Sequence, residues 1–183
     1  ILVLPADAKV GMPADEYFQP YDDVIYEIGL TPNRMDAISH WGVARDVCAY
    51  LSHHDKQDIK PKLPNGNSFK VDNTSLTLDV KVENEKACPR YSGVSIANVT
   101  IAPSPKWLQQ KLKAIGLRPI NNIVDITNFI QHETGQPLHA FDASRISNNE
   151  VIVQSLPRDT KFVTLDSVER KLSGTELMIC DAN

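Results

Sequence analysis

The sequence is poor in the features that announce most chemistries. Its 183 residues hold three cysteines, Cys48, Cys88 and Cys180, widely scattered and in no CxxC pair. That pattern argues against a disulfide framework or a thiolate zinc cluster and fits idle thiols in a reducing compartment. No apolar run approaches the ~20 residues of a membrane-spanning helix. GxGxxG, a P-loop, HExxH and GxSxG are all absent, so nothing marks a dinucleotide, nucleotide, zinc-protease or nucleophile-elbow site. No Ser or Cys has a visible base partner, which argues against a covalent intermediate. No internal repeat is present. His53-His54-Asp55 has no matching ligand pair elsewhere, so no metal site is expected and this stretch reads as solvated linker.

Basic charge is also scarce. The net charge is −4, and an acidic chain is a poor autonomous nucleic-acid binder. The charge is uneven, however. Residues 1–36 carry seven acids against Lys9 and Arg34, whereas residues 103–120 carry Lys106, Lys111, Lys113 and Arg118 with no acid. Such a stripe suits local contact with a phosphate backbone; on charge alone, a solvated helix face is the ordinary alternative.

What is present is a 42% hydrophobic content, enough for one full core and a smaller unit. The chain starts at Ile1 without Met and stops at Asn183 just past the apolar run Leu177–Cys180, so it is expected to be a piece of a longer protein. Residues 1–52 read as a first unit. Val24–Leu30 reads as a strand, Thr31-Pro32-Asn33 as a turn, and Asp36 or Ser39 as the cap of a helix. Trp41, Ala44, Cys48 and Leu51 recur at helical spacing there, but residues 1–23 offer that helix little to pack on. Residues 53–75 are polar, with two prolines and an Asn-Gly, and read as a linker.

From Leu76 the pattern turns to alternation. Leu76, Leu78, Val80 and Val82 predict a half-buried strand, and Arg90–Ile101 a second one, irregular between Ile96 and Val99. Ser104 as cap and Pro105 as first residue predict a helix with Trp107, Leu108, Leu112 and Ile115 on its apolar face, stopped by Gly116. A second helix is expected from a cap at Asn121 or Asn122 to about Gly135. Its β-branched interior makes it depend on burial rather than propensity. Strands then return at 151–156, 162–165, 168–172 and 177–180, the middle pair turned by Asp166-Ser167. The sum is a β-rich α/β fold, with the second domain at 76–183.

The most telling stretch is Gly116–Asp142, which sets Thr127, Asn128, Gln136 and His139 into an otherwise apolar passage with tight Gly and Pro punctuation. Such polar groups are either buried structural hydrogen bonders or the lining of a pocket. Val124-Asp125-Ile126-Thr127-Asn128 and the following GQPLHAFD at 135–142 resemble the beta subunits of bacterial phenylalanyl-tRNA synthetases. So do LTPNRMD at 30–36 with its GVARDV, SPKWL at 104–108, and Thr164-Leu165-Asp166. The matches run in family order along nearly the whole chain.

That resemblance implies that residues 1–52 are part of a mainly helical N-terminal module. It implies that residues from about Leu76 begin a three-layer β/β/α editing domain, truncated at its C-terminal side. In the family this domain hydrolyses tyrosine wrongly esterified to tRNA(Phe). A site that hydrogen-bonds the tyrosine hydroxyl discriminates far better than a phenylalanine pocket can by exclusion. By motif, Thr127 and Asn128 become substrate-binding residues and His139 the catalytic one. The resemblance further implies that a glycine-rich segment and the carboxylate that reads the hydroxyl come later in the family's chain, so half a pocket and no full activity are expected from this polypeptide alone. It implies a cytoplasmic enzyme without membrane contact, an alpha subunit in an alpha2-beta2 assembly, and ATP and magnesium for the complete enzyme but no cofactor here.

The chemistry of the three residues fits that role. The Asn128 amide can hold an amino or carbonyl group, and Thr127 can do the same or bond back to its own helix. An imidazole can accept a proton from water or hydrogen-bond an ester oxygen. Ester hydrolysis needs no metal if water and ester are held close. The expectation is geometric: Thr127, Asn128 and His139 face one hollow. Lys106, Lys111 and Lys113 are candidate tRNA contacts, Gln136 a turn residue beside the pocket, and Arg90-Tyr91 a brace for the sheet. Two other readings stand: a non-catalytic tRNA- or subunit-binding scaffold that has lost editing, and a free-standing editing hydrolase.

Overall fold

A computed structural model describes residues 2–63 and 65–183. It is a mixture of helices and short strands, an α/β arrangement. The chain forms two compact units, each discontinuous in sequence: Ile1–Lys62 with Ala102–Leu138, and Leu63–Ile101 with His139–Asn183. These units cut the chain differently from the 1–52, 53–75 and 76–183 division. The helices after Pro105 fall in the same unit as the helix at 40–54, and the second of them packs on it, which gives that helix the packing partner residues 1–23 could not supply.

In the first unit, a short helix α1 (Ala14–Phe18) and a 3-10 turn (Met35–Ala37) precede α2 (His40–His54). Ser39 is the cap: its Oγ accepts from the Gly42 amide at 2.9 Å. The helix continues through His53 and His54, so these residues form its last turn instead of a linker. Helix α3 (Lys106–Ala114) buries Leu108 and Leu112 and ends at Gly116, whose φ of +80° is the left-handed stop. Helix α4 (Asn122–Thr134) packs on both α2 and α3. Trp107 meets Phe129 edge-on with ring centres 5.6 Å apart. Gly135 closes α4 at φ +82°, where a Cβ would already touch Ile38 and Ser39.

Two further expectations fail here. Val24–Leu30 forms no strand; it lies exposed, because no neighbouring strand offers its amides a ladder among the described residues. Ser104 does not cap α3. It is buried, and its hydroxyl is spent on a tertiary bond to Asp125.

The first unit also holds an acid-sensitive contact. Asp23 accepts from the Tyr21 hydroxyl and, at 2.9 Å, from Lys111 Nζ. The Tyr21 bond first and Lys111 second pull its pKa from 3.8 down to about 2. A depressed carboxylate stabilises the fold above its unfolded pKa and loses that contribution as pH falls through the folded one. Asp23→Asn is therefore expected to lower stability at neutral pH and to flatten its acid limb, the two proteins converging as pH falls from ~4 to ~2. Unfolding midpoints of both proteins across that range check it.

In the second unit, β1 (Asp79–Val82) pairs in parallel with β2 (Glu150–Ser155), and β2 pairs antiparallel with β5 (Leu177–Cys180). Val151 and Val153, on the central strand, make the core with Leu172. The alternation from Leu76 to Val82 appears as half-buried apolar positions between exposed polar ones. β3 (Lys161–Val163) and β4 (Glu169–Lys171) form the expected hairpin. Ser167 takes a left-handed φ of 63° at its tip, and Asp166 Oδ1 accepts from the Thr164 hydroxyl and the Val168 amide. Arg90–Ile101 forms no ladder, and Asn98, at φ 59°, interrupts it where the alternation shifts. Gly93 lies so close to Leu78 that a Cβ would come within 2.7 Å of its side chain.

Candidate functional site

Helix α4 is built from poor helix formers, and its start is therefore anchored by side chains. Asn121 caps it, its Oδ1 accepting from the Ile123 and Val124 amides at 3.1 and 3.0 Å. Asp125, the one acid inside that apolar run, is fully buried. Its Oδ2 accepts from Ser104 Oγ at 2.6 Å and its Oδ1 from the Ile120 amide at 2.8 Å. Sequence reading named Asp125 only as part of a motif. A lone carboxylate among Ile and Val was the signal that could have found it, because such a group is buried only with partners.

Thr127 and Asn128 lie within the next turn, both outside the buried core: Thr127 and Asn128 are half-buried. Thr127 Oγ1 donates to the Val124 carbonyl at 2.8 Å, the helix-bonded alternative of the two open for it. Its lone pairs stay usable, so toward any ligand it is an acceptor only. The Asn128 amide makes no hydrogen bond among the described residues and keeps both donor and acceptor ends available. Being adjacent, the two side chains leave the helix about 100° apart.

Gln136 is a turn residue: its amide nitrogen bonds Pro137 O at 3.2 Å. His139 belongs to the second unit, whereas Thr127 and Asn128 belong to the first. Its ring is exposed and lies nearly parallel to that of Phe141, with centres 6.2 Å apart. No carboxylate holds it among the described residues, so it lacks the orienting partner of a catalytic triad. Nearby, Asp142 Oδ1 accepts from the Ser144 hydroxyl and amide at 2.8 and 3.0 Å, which lowers the carboxyl pKa. Tyr91 is half-buried, and that burial raises its phenol pKa.

Of the lysines, Lys106 and Lys113 are exposed, while Lys111 is ion-paired with Asp23. No group of three or more metal-ligating side chains occurs among the described residues, and no helix there is long and apolar enough to cross a membrane. Each unit has an open groove. In the first, about 360 Å³ lies beside α2 between Arg45, Cys48, Ser52 and Ile59. In the second, about 670 Å³ is lined by Phe69, Val71, Leu76, Leu78, Val94 and Ile96. None of Thr127, Asn128 and His139 lines either groove.

Comparison with known proteins adds family context. Residues 87–183 match the family described as the B3/4 domain. The phenylalanine–tRNA ligase beta subunit of Bacteroides thetaiotaomicron is 55% identical over 99% of this chain. That of Porphyromonas gingivalis is 53% identical over 100%, and that of Bacillus subtilis 47% over 98%. The chain spans about a fifth of these relatives, 22% of the length of each.

Proposed function

Because this chain belongs to the B3/4 domain family and matches phenylalanine–tRNA ligase beta subunits over nearly all its length, we propose that it is the editing region of such a subunit. The reaction is hydrolysis of tyrosine from mischarged tRNA(Phe), in the cytoplasm and within an assembly that includes the alpha subunit. The observation that carries this reading is the state of α4. It presents an amide with no internal partner among the described residues at Asn128, beside an acceptor-only hydroxyl at Thr127, on a helix whose first turn is locked. Such a pair can hold the amino and carbonyl groups of an aminoacyl ester. The imidazole of His139 supplies hydrogen bonding or proton transfer to the attacking water.

The test is single-turnover deacylation by the complete subunit assembly. Tyr-tRNA(Phe) is expected to be hydrolysed about 100-fold faster than Phe-tRNA(Phe), since a polar contact to the hydroxyl discriminates strongly. The polypeptide of 183 residues by itself is expected to show no full activity. Equal rates for the two esters would favour the scaffold reading. One observation speaks for that alternative: many large apolar side chains are exposed, among them Val24, Tyr26, Val94 and Ile96, as on surfaces that bind other polypeptide.

In the same proposal Lys106 and Lys113 contact tRNA phosphates. Changing both to Glu is expected to weaken tRNA binding and to reduce its salt slope by about 2. Lys111, already paired with Asp23, is expected to contribute least. Titrations at several salt concentrations measure this, and an unchanged slope would remove these lysines from the interface.

A further inference from the structure

We propose that Asp125 is a positioning residue for ester hydrolysis, acting through Asn128; the inference rests on the editing reading above. Asp125 is fully buried, and no cation reaches it among the described residues. Its two oxygens face two donors from separate stretches of chain, Ser104 Oγ at 2.6 Å and the Ile120 amide at 2.8 Å. Each carboxylate oxygen thus accepts one hydrogen bond, and the two bonds fix the side chain from two sides. The Ser104 carbonyl in turn accepts from Gln109 Nε2 at 2.7 Å, which ties the first turn of α3 to the same point. Two residues earlier in that stretch, the Ala102 carbonyl accepts from the Asn122 amide at 2.9 Å. The start of α4 is thus held at residues 102–104 and at 120.

The need for this clamp follows from the sequence of α4. Ile123, Val124, Ile126 and Thr127 are β-branched, so the helix has weak intrinsic preference and takes its placement from tertiary contacts. Asp125 and Asn128 are three residues apart and leave the helix on neighbouring sides. A rotation of α4 released at Asp125 therefore swings the Asn128 amide. Small misplacements of a group that orients a reacting ester cost rate rather than binding.

The test uses the complete subunit assembly. Asp125→Leu, which fills the space and removes both acceptors, is expected to slow Tyr-tRNA(Phe) deacylation at saturating enzyme about 30-fold. Half-saturation and aminoacylation with phenylalanine are expected to stay unchanged. Asp125→Asn is expected to rescue, because its oxygen still accepts from Ile120 and Ser104 can reverse to accept from its amide. Should the leucine variant fail to fold, Ser104→Ala removes one bond and keeps the packing; a roughly fivefold slowing is expected. In an Asn128→Ala background, neither change is expected to slow the reaction further. Wild-type rates in Asp125→Leu and Ser104→Ala, or losses that multiply with that of Asn128→Ala, would overturn the positioning role. So would an Asn128→Ala protein as active as wild type. A wild-type assembly that fails to deacylate Tyr-tRNA(Phe) overturns the editing reading itself, and this inference with it.

Discussion

His139→Ala in the complete subunit assembly is expected to slow release of tyrosine from tRNA(Phe) by about 100-fold, the lower range for loss of a proton-transferring or ester-binding imidazole. The fold is expected to survive. His139 is exposed, makes no hydrogen bond among the described residues and touches only Phe141 among aromatic rings there. Surface changes of that kind move stability by about 0.5 kcal/mol or less. A second variant separates the two roles open to the ring. His139→Gln keeps a hydrogen-bonding group but cannot relay a proton near neutral pH. Substantial activity in the glutamine protein assigns His139 to orienting ester or water; loss as deep as in alanine assigns it to proton transfer. Single-turnover deacylation, with aminoacylation by phenylalanine as the control for assembly, reads both. Normal deacylation by His139→Ala would remove the residue from the mechanism.

The largest structural effect is expected at Gly42. A Cβ there would stand 2.4 Å from the Asp36 carbonyl oxygen and 2.7 Å from the Ala37 Cα. In a helix interior, Gly→Ala ordinarily gains about 1 kcal/mol from backbone entropy. Here the neighbours are backbone atoms that no rotamer change can move aside. The 3-10 turn of Met35–Ala37 must shift, carrying Arg34, whose guanidinium bonds Asp36 at 2.9 Å and Asp46 at 2.7 Å. Overpacking wins, and Gly42→Ala is expected to lose about 3 kcal/mol. Gly29 serves as the control, because a methyl group added there would meet nothing within 4 Å. Gly29→Ala is expected to stay within about 0.5 kcal/mol of wild type. Denaturant unfolding compares the two. Equal midpoints would mean that the turn relaxes freely and that its contact with α2 is loose.

The helices were legible in the sequence because their signals are local. Ser39 and Asn121 cap by reaching amides two or three residues ahead, and Gly116 and Gly135 stop helices through their own φ. The Asp166-Ser167 hairpin was legible for the same reason. Val24–Leu30 and Arg90–Ile101 carry strand-like composition but form no strand, since a strand exists only where a second one lies alongside it. Ser104 shows the same limit in one residue. Its position before Pro105 marks a cap, yet its hydroxyl serves Asp125, 21 residues away in sequence.

The candidate site divides along this line. Thr127, Asn128 and His139 were picked out by residue type and by ordered family motifs, information that is written along the chain. That Thr127 turns its proton back to Val124, that Asn128 keeps its amide unengaged among the described residues, and that Lys111 is matched by Asp23 depended on which groups folding brought together. Periodicity and capping chemistry settle where helices begin and end, because each acts within one turn of chain. The pairing of strands, the assignment of α3 and α4 to the unit of α2, and the partners of a buried carboxylate are set by contacts distant in sequence. Their energies exist only once those distant segments have met.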